Sequence, residues 1–207
     1  MTIRSSLLRL SALSCLALLL FSTASLADDR FENCRQYEPE IAAATRRHWG
    51  GYNHPEALEA QLYQESLCDP FAISPVGAKG IAQFMPATWA EQSARLGIRG
   101  KTPFDKAAIR ASAAYTARLW RIWRSERPQD ERWRLGLASY NAGAGNIIKA
   151  QRACSGERDW GDISPCLPQI TGDRNAHETT TYVAAIDRWR GELESEPLQD
   201  DNFWPFW

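Results

Sequence analysis

The sequence lacks the usual signatures of a metal site and of a nucleic-acid-binding surface. Its three histidines and five cysteines contain no CxxC or HxxxH spacing, so no metal site is predicted. Only four of the 24 basic residues are lysines, and the formal net charge of −1 provides no basic footprint for a polyanion. We therefore expect a protein that uses no metal and no cofactor and that has no nucleic-acid partner.

The chain also lacks alternating apolar and polar residues, internal repeats and low-complexity stretches, which argues against an extended sheet or a repeat protein. Its 207 residues suggest one domain of ordinary size. After residue 27, most segments have the apolar spacing and the Pro and Gly positions typical of helices. We predict a mainly α fold with Asp105 as an N-cap and helices at residues 38–49, 54–67, 85–97, 105–123, 130–141, 144–153 and 175–194.

Residues 1–27 are typical of a cleaved export signal. Arg4 and Arg9 precede the apolar stretch LSALSCLALLLF, and Ser25 and Ala27 are small residues at the cleavage positions. The stretch is shorter than the ~20 residues that span a membrane, which disfavours an anchor, and it continues past Cys15, which disfavours a lipoprotein. We expect export to the periplasm or cell envelope and no membrane span in the mature form. Once Arg4 and Arg9 are removed, the mature chain would have 22 basic and 25 acidic residues.

The mature chain keeps four cysteines, an even number that favours two disulfides in an exported protein. Four cysteines permit three pairings. Cys154 and Cys166 bracket a polar loop with Gly and Pro, so we predict that they pair with each other. That choice leaves Cys34 to pair with Cys68.

The chain after the predicted domain (28–195) carries an aromatic tail, residues 196–207, which ends in DNFWPFW. Exposed aromatic side chains would form an apolar patch of the kind that marks an interaction surface. We favour a tail that folds back on the domain. The alternative is a docking peptide for a secretion, conjugation or other envelope-spanning machine.

Glu65 is notable for its surroundings in the sequence. It ends an apolar helical run, where partial desolvation raises the pKa of a carboxyl and suits it to proton donation near neutral pH. The segment SPVGAKG that follows allows tight turns, while Ser74 and Gln83 add neutral hydrogen-bonding groups. A carboxylic acid among neutral donors and acceptors indicates an uncharged polar ligand such as a glycan.

Three segments resemble the motifs of one known family. QESLCDPFAISPVGAKGIAQFMPATW (64–89) resembles the first motif of the soluble-type (SLT domain) lytic transglycosylases, which belong to the lysozyme-like superfamily. ASYNAGAG (138–145) resembles the second motif and ETTTYV (178–183) the third, in the family's order. The resemblance implies a single lysozyme-like (goose-type-like) helical domain with a substrate groove that cleaves peptidoglycan.

The same resemblance implies the roles of individual residues. Glu65 matches the family's sole catalytic acid and base, and Gly77, Ala78 and Gly80 match loop positions that let the backbone approach a sugar. The residues that match substrate-binding positions are Ser74, Gln83, Met85, Tyr140, Asn141 and Tyr182. For Tyr140 and Tyr182 the alternative is a buried tyrosine hydrogen-bonded to the backbone, and for Met85 it is ordinary packing.

The implied reaction uses one carboxyl. Glu65 protonates the glycosidic oxygen between N-acetylmuramic acid and N-acetylglucosamine, and then acts as base while the C6 hydroxyl closes a 1,6-anhydro ring. Asp69 is the only acidic neighbour within the motif, and Pro70 should end the helix before it, so we expect Asp69 to cap or turn the chain. A hydrolytic muramidase, which uses two carboxylates, and a glycan-binding protein without turnover are the alternatives. The expected partners are peptidoglycan glycan strands.

Overall fold

The structure, a computed structural model, describes residues 29–195 except 51 and 53. The predicted signal peptide (1–27) and the aromatic tail (196–207) lie outside the described residues. The ten α-helices of the described part are α1 (Glu32–Arg35), α2 (Glu38–His48), α3 (Pro55–Ser66), α4 (Pro86–Arg95), α5 (Ala107–Trp120), α6 (Gln129–Ala142), α7 (Ala144–Ala153), α8 (Trp160–Ile163), α9 (Pro168–Thr171) and α10 (Asp173–Ser195). Two 3₁₀ helices, Asp29–Phe31 and Ser164–Cys166, complete them.

The central packing unit is the pair α3 and α10, which make the most extensive contact between two helices of the described residues. α6 packs against α10 on one side and against α5 on the other, and α2 covers α5 and α3. Apolar side chains of these helices form one core that includes Leu58, Leu62, Leu135 and Ile186, all fully buried. No helix among residues 29–50, 52 and 54–195 is both long enough and apolar enough to cross a membrane.

The long predicted helices are confirmed, with small differences at their ends. Pro55 and Pro86 begin α3 and α4 because the first turn of a helix does not need the missing N–H. Gly143, with φ of +85°, separates α6 from α7 at the position predicted from the sequence. The short helices α1, α8 and α9 were not predicted, since four residues are too few to show a helical period.

The prediction that Asp105 is the N-cap of α5 is wrong. Its carboxylate accepts hydrogen bonds from the backbone N–H (2.8 Å) and the hydroxyl (3.0 Å) of Thr102, which precedes it. α5 begins only at Ala107, and Lys106 occupies the N-cap position without a capping side chain. These hydrogen bonds lower the pKa of Asp105 and hold the turn before the helix.

Both predicted disulfides are present. Cys34–Cys68 joins α1 to the chain just after α3, and Cys154–Cys166 joins the end of α7 to the second 3₁₀ helix. The first bridge therefore holds the loop that follows α3 close to the helical core. We name this loop, residues 67–85, the motif loop.

Candidate active site

Glu65 lies in the last turn of α3 and faces α10. The hydroxyl of Tyr182, from α10, donates a hydrogen bond of 2.5 Å to Glu65 Oε1. Glu65 is half-buried: the protein packs closely around its carboxyl group, and the residue keeps some contact with solvent. The packing of α3 against α10 thus brings together two residues that are 117 positions apart in the sequence.

Burial raises the pKa of Glu65 to about 8. Loss of hydration disfavours the carboxylate, and the opposing effect of the hydrogen bond from Tyr182 is smaller. The direction agrees with the expectation from the sequence. At neutral pH the carboxyl therefore retains its proton, as a general acid requires.

The end of α3 is fixed by its junction with the motif loop. Leu67 has a left-handed backbone (φ 55°) and its N–H bonds to the carbonyl of Tyr63 at 2.7 Å, which terminates the helix. The hydroxyl of Ser66 donates to the carbonyl of Ile81 at 2.9 Å, across the motif loop. These contacts fix the backbone around Glu65, so the position from which its side chain extends is rigid.

Two tyrosines flank the carboxyl from different helices. Tyr140, near the end of α6, donates from its hydroxyl to the carbonyl of Ala82 at 2.8 Å, which ties the motif loop to α6. Burial, with a further contribution from the charge of Glu65, raises the pKa of Tyr140 and of Tyr182 well above 10. Both hydroxyls therefore stay protonated over the whole physiological range, and Tyr182 remains a hydrogen-bond donor to Glu65.

Asn141 is exposed beside this group. Its Oδ1 accepts from the hydroxyl of Thr179 on α10 at 2.7 Å, which fixes the orientation of the amide. The oxygen of this amide is therefore committed to α10, and the N–H groups are its remaining donors.

Glu65 opens into a cleft of about 480 Å³ between the ends of α3 and α6 and the first half of α10. The lining residues of this cleft are Gln64, Glu65, Asn141, Arg174, His177, Glu178, Thr181 and Tyr182. The cleft therefore brings together three of the residues predicted from the sequence: Glu65, Asn141 and Tyr182. Within the described residues, no group of three or more His, Cys, Asp or Glu side chains could hold a metal ion.

The other predicted ligand residues belong to the motif loop or lie under it. Ser74 accepts a hydrogen bond from the N–H of Ala78 at 3.0 Å and so closes a turn. Gln83 uses its amide N–H₂ inside the loop, on the carbonyls of Gly80 (2.9 Å) and Ala72 (3.3 Å). Neither residue lines the cleft, nor does Met85, whose side chain is 43% exposed at the start of α4.

Gly80 is required by a close contact with the protein's own backbone. Its φ is +75°, and a Cβ placed there would lie 1.9 Å from the carbonyl oxygen of Pro103. This contact by itself accounts for a glycine at this position, and the expectation that it also lets the backbone approach a sugar stays a prediction. Gly77, with φ of +89° and open space around it, is required only by the turn.

Asp69 turns the chain after α3, as expected. Its Oδ1 accepts a hydrogen bond of 2.8 Å from the backbone N–H of Phe71, and it is not among the cleft residues. Asp69 is thus committed to a local turn beside the site.

Sequence reasoning missed one wall of the cleft, the polar face of α10. Its residues are Arg174, His177, Glu178 and Thr181, in addition to Tyr182. Counted from Arg174, the other four residues including Tyr182 follow at three, four, seven and eight positions, which is the spacing of one helix face. The signal was present in the sequence, but polar side chains on one face of a helix are usually only solvated, so the spacing did not identify a site.

The sequence matches the family model described as Transglycosylase SLT domain over residues 43–163. It is 31% identical to the membrane-bound lytic murein transglycosylase F of Maricaulis maris (strain MCS10) over 158 residues, 69% of this chain and 33% of the relative. The protein of the same name from Yersinia enterocolitica is 29% identical over 150 residues, 66% of this chain and 30% of the relative. The chain thus spans about a third of the length of these relatives.

Two solved structures share the fold. The 70 kDa soluble lytic transglycosylase SLT70 from Escherichia coli aligns with a TM-score of 0.60 at 22% identity, covering 77% of this chain and 24% of that one. An inactive glutamate-to-glutamine mutant of the lytic transglycosylase Slt from Pseudomonas aeruginosa aligns with a TM-score of 0.62 at 21% identity, covering 86% and 28%. The predicted mainly α, lysozyme-like fold is confirmed by these similarities.

Proposed function

Because the chain belongs to the Transglycosylase SLT domain family, we propose that it is a peptidoglycan lytic transglycosylase in which Glu65 is the single acid and base. The substrate is the β-1,4 bond between N-acetylmuramic acid and N-acetylglucosamine, and the product is a 1,6-anhydromuramoyl end. The observation that carries this proposal is a carboxyl with a pKa of about 8 that accepts a hydrogen bond from a neutral tyrosine hydroxyl and opens into a polar cleft.

The first step needs a proton donor. Protonated Glu65 transfers its proton to the glycosidic oxygen while the bond from that oxygen to C1 of the muramoyl sugar breaks. The acetamido group of the substrate stabilises the positive charge that develops at C1, as in substrate-assisted glycosidases. Asn141 lines the cleft, and we assign its amide N–H groups the role of holding a carbonyl of the substrate.

The second step needs a base at the same position. The Glu65 carboxylate produced by the first step is poorly solvated, which makes it a stronger base than a carboxylate in water. It removes the proton from the C6 hydroxyl, and O6 attacks C1 to close the 1,6-anhydro ring. Glu65 is then protonated again, so no water is consumed and no other proton carrier is needed.

A hydrolytic reaction is the second candidate, because the cleft contains another carboxyl group. Glu178 lines the cleft on α10, and hydrolysis with two carboxylates would use it to activate water or to form a covalent intermediate. Asp69 is unsuited to this role because it is bound to the turn at Phe71.

Mass spectrometry of the products from purified peptidoglycan separates the two reactions. We expect muropeptides that end in 1,6-anhydro-N-acetylmuramic acid, lighter by one water than muramidase products and without a reducible end. Glu65→Gln should lower turnover by at least about 10²–10⁴-fold while glycan binding persists. Glu178→Gln and Asp69→Asn are the matched controls and should keep the anhydro product.

Reducing-end products that disappear in Glu178→Gln would assign the protein to the hydrolases. Full activity of Glu65→Gln would refute the site. Binding of glycan without cleavage by the wild type would favour a binding protein.

The biological setting is proposed on the sequence alone. We propose cleavage of a signal at residues 1–27, action of the domain 28–195 in the periplasm, and glycan strands of the cell wall as the partner. Substrate roles for Ser74, Gln83, Met85 and Tyr140 also remain proposals. In the structure, Ser74, Gln83 and Tyr140 hold the motif loop in place.

A further inference from the structure

A second pocket lies away from the cleft and has no role in the proposed reaction. We name it the aromatic pocket. Its volume is about 210 Å³, and its lining residues are His48, Trp49, Gly50, Tyr52, Thr116, Ala117, Trp120, Arg121, Gln129 and Trp133. The rings of Trp49 and Trp133 lie 4.9 Å apart, and those of Tyr52 and Trp133 are stacked at 5.8 Å. Its walls are thus suited to flat apolar groups.

The aromatic pocket is at the opposite end of the α3–α10 pair from Glu65. Its residues 48–50 and 52 lie a few positions before α3, which begins at Pro55, whereas Glu65 lies in the last turn of that helix. On α10, Arg190 donates to the hydroxyl of Tyr52 at 2.7 Å and stands eight residues beyond Tyr182, a rise of about 12 Å. A ligand in the pocket would therefore not touch the carboxyl.

The last turn of α10 lies at the rim of this pocket. Besides the contact of Arg190 with Tyr52, Glu194 lies 3.7 Å from the ring of His54, which packs against Tyr52 at 4.7 Å between ring centres. α10 ends at Ser195, so the tail (196–207) leaves the helix beside the pocket. The eight residues from Ser195 to Phe203 can extend about 26 Å, more than enough to reach it.

The charges of the two partners are complementary. The tail carries Glu196, Asp200 and Asp201 and no basic residue, and its aromatic run follows directly after them. Burial, together with the nearby cations Arg110, Arg47 and Arg121, lowers the pKa of His48, so the imidazole is neutral and the rim charge comes from arginines.

The acidic residues near the pocket are already paired. Asp130 is bound to Arg190 at 2.9 Å, and Glu131 to Arg134. Arg132 lies over the ring of Trp120, 4.8 Å from its centre, and adds another cation at the pocket wall. The surroundings therefore favour an acidic segment.

We propose that the tail folds back on its own chain and that its aromatic run, Phe203–Trp207, occupies the aromatic pocket, with Asp200 and Asp201 against Arg121. Pro205 restricts the backbone between the two aromatic pairs, which lowers the entropy lost on docking. The tail is already tethered at the rim, so its effective concentration is in the millimolar range and modest contacts suffice. This inference does not depend on the catalytic proposal.

The motif loop is the competing surface. Its exposed apolar side chains are Leu67, Phe71, Ile73, Val76 and Met85. The loop follows the Glu65 end of α3, far from Ser195, and its apolar side chains are not accompanied by a cluster of arginines. A second copy of the chain and a separate partner protein are the other possible occupants.

Hydrogen-exchange mass spectrometry on the full mature chain tests the proposal. One variant replaces Phe203, Trp204, Phe206 and Trp207 by alanine. We expect the backbone amides of residues 48–52 and 116–121 to exchange about five- to tenfold faster in this variant than in the wild type, while residues 67–85 stay unchanged. A synthetic peptide of residues 196–207, added to the variant, should restore the slow exchange.

Charge reversal sharpens the test. Arg121→Glu should speed exchange at the pocket, and Asp200→Lys with Asp201→Lys in the same chain should restore it. Arg124→Glu, an exposed arginine three residues further on that does not line the pocket, is the matched control and should have no effect.

Three results of the exchange experiment would overturn the proposal: unchanged exchange at the pocket, changes at residues 67–85 instead, or failure of the peptide to restore protection. A fourth would be a dimer in sedimentation velocity whose dissociation removes the protection. The last result would assign the pocket to the tail of a second copy.

Discussion

At one end of the α3–α10 pair the carboxyl of Glu65 lies against Tyr182, and at the other the carboxylate of Asp130 lies against Arg190. Burial without a cation raises the pKa of Glu65 to about 8, whereas the hydrogen bond and charge of Arg190 lower the pKa of Asp130. Two residues of α10 thus contact a protonated carboxyl of α3 and an ionised carboxyl of α6. The difference shows that burial keeps Glu65 protonated, whereas exposure to solvent and the cation Arg190 keep Asp130 ionised, so only Glu65 can donate a proton at neutral pH.

The largest effect on stability is expected from Glu65→Gln. The pKa of Glu65 is about 8 when folded and about 4.5 when unfolded, so the folded state holds an extra proton between these values. The wild type therefore loses stability as the pH rises from about 4.5 to 8, while the variant does not. The free energy of unfolding of the variant, relative to that of the wild type, should therefore be about 3 kcal/mol higher at pH 7 than at pH 4.

Urea unfolding at pH 4, 7 and 8.5 measures this gain. Glu178→Gln, which removes an exposed carboxyl of the same cleft, is the matched control and should show no comparable trend. A Glu65→Gln variant without added stability at pH 7 would mean that the carboxyl is solvated and that the contrast with Asp130 does not exist.

The end of the α3–α10 pair at which Arg190 binds Asp130 is tested by Arg190→Gln. The guanidinium binds Asp130, Glu194 and Tyr52, and its side chain is only 14% exposed. We expect a loss of about 1–2 kcal/mol at pH 7 without change in catalytic turnover. The folded pKa of Asp130 is depressed, so its contribution is present above about 3.8 and is lost as the pH falls through the folded value.

The difference in the free energy of unfolding between Arg190→Gln and the wild type should therefore become smaller below pH 4, as urea titrations would measure. Arg95→Gln is the control, because Arg95 makes an exposed ion pair with Glu91 and should cost less than about 0.5 kcal/mol. An equal loss of stability in both variants would show that the contacts of Arg190 stabilise the protein no more than an exposed ion pair does.

A smaller effect is expected from Tyr182→Phe. The hydroxyl of Tyr182 opposes the rise in the pKa of Glu65, so its removal should raise that pKa further. The basic limb of the pH profile of kcat/KM should move to higher pH, and turnover at pH 7 should fall about tenfold because the carboxyl is less well oriented. Tyr115→Phe removes a hydroxyl from the neighbouring aromatic cluster and should leave the limb in place. A lower activity without a shifted limb would assign Tyr182 a merely structural role.

Local features of the sequence were sufficient for much of the fold and for the centre of the site. The helix starts at Pro55 and Pro86, the break at Gly143 and the disulfide partners follow from spacing and turn chemistry, and the motif alone led to Glu65 as the candidate acid. These properties depend on neighbours within a few turns of the chain, which a sequence displays directly.

Contacts between distant segments were decided only by the tertiary structure. The sequence does not show that Gln83 uses its amide inside the motif loop, that Gly80 is required by Pro103, or that Asp105 turns back to Thr102. Each of these residues has a local chemistry that fits several partners, and the packing selects one of them. The polar face of α10 became a wall of the cleft, and the start of α3 a wall of the aromatic pocket, because α3 and α10 pack side by side. Helical periodicity predicts which side chains lie on one face of a helix, but only the tertiary packing determines which residues that face contacts.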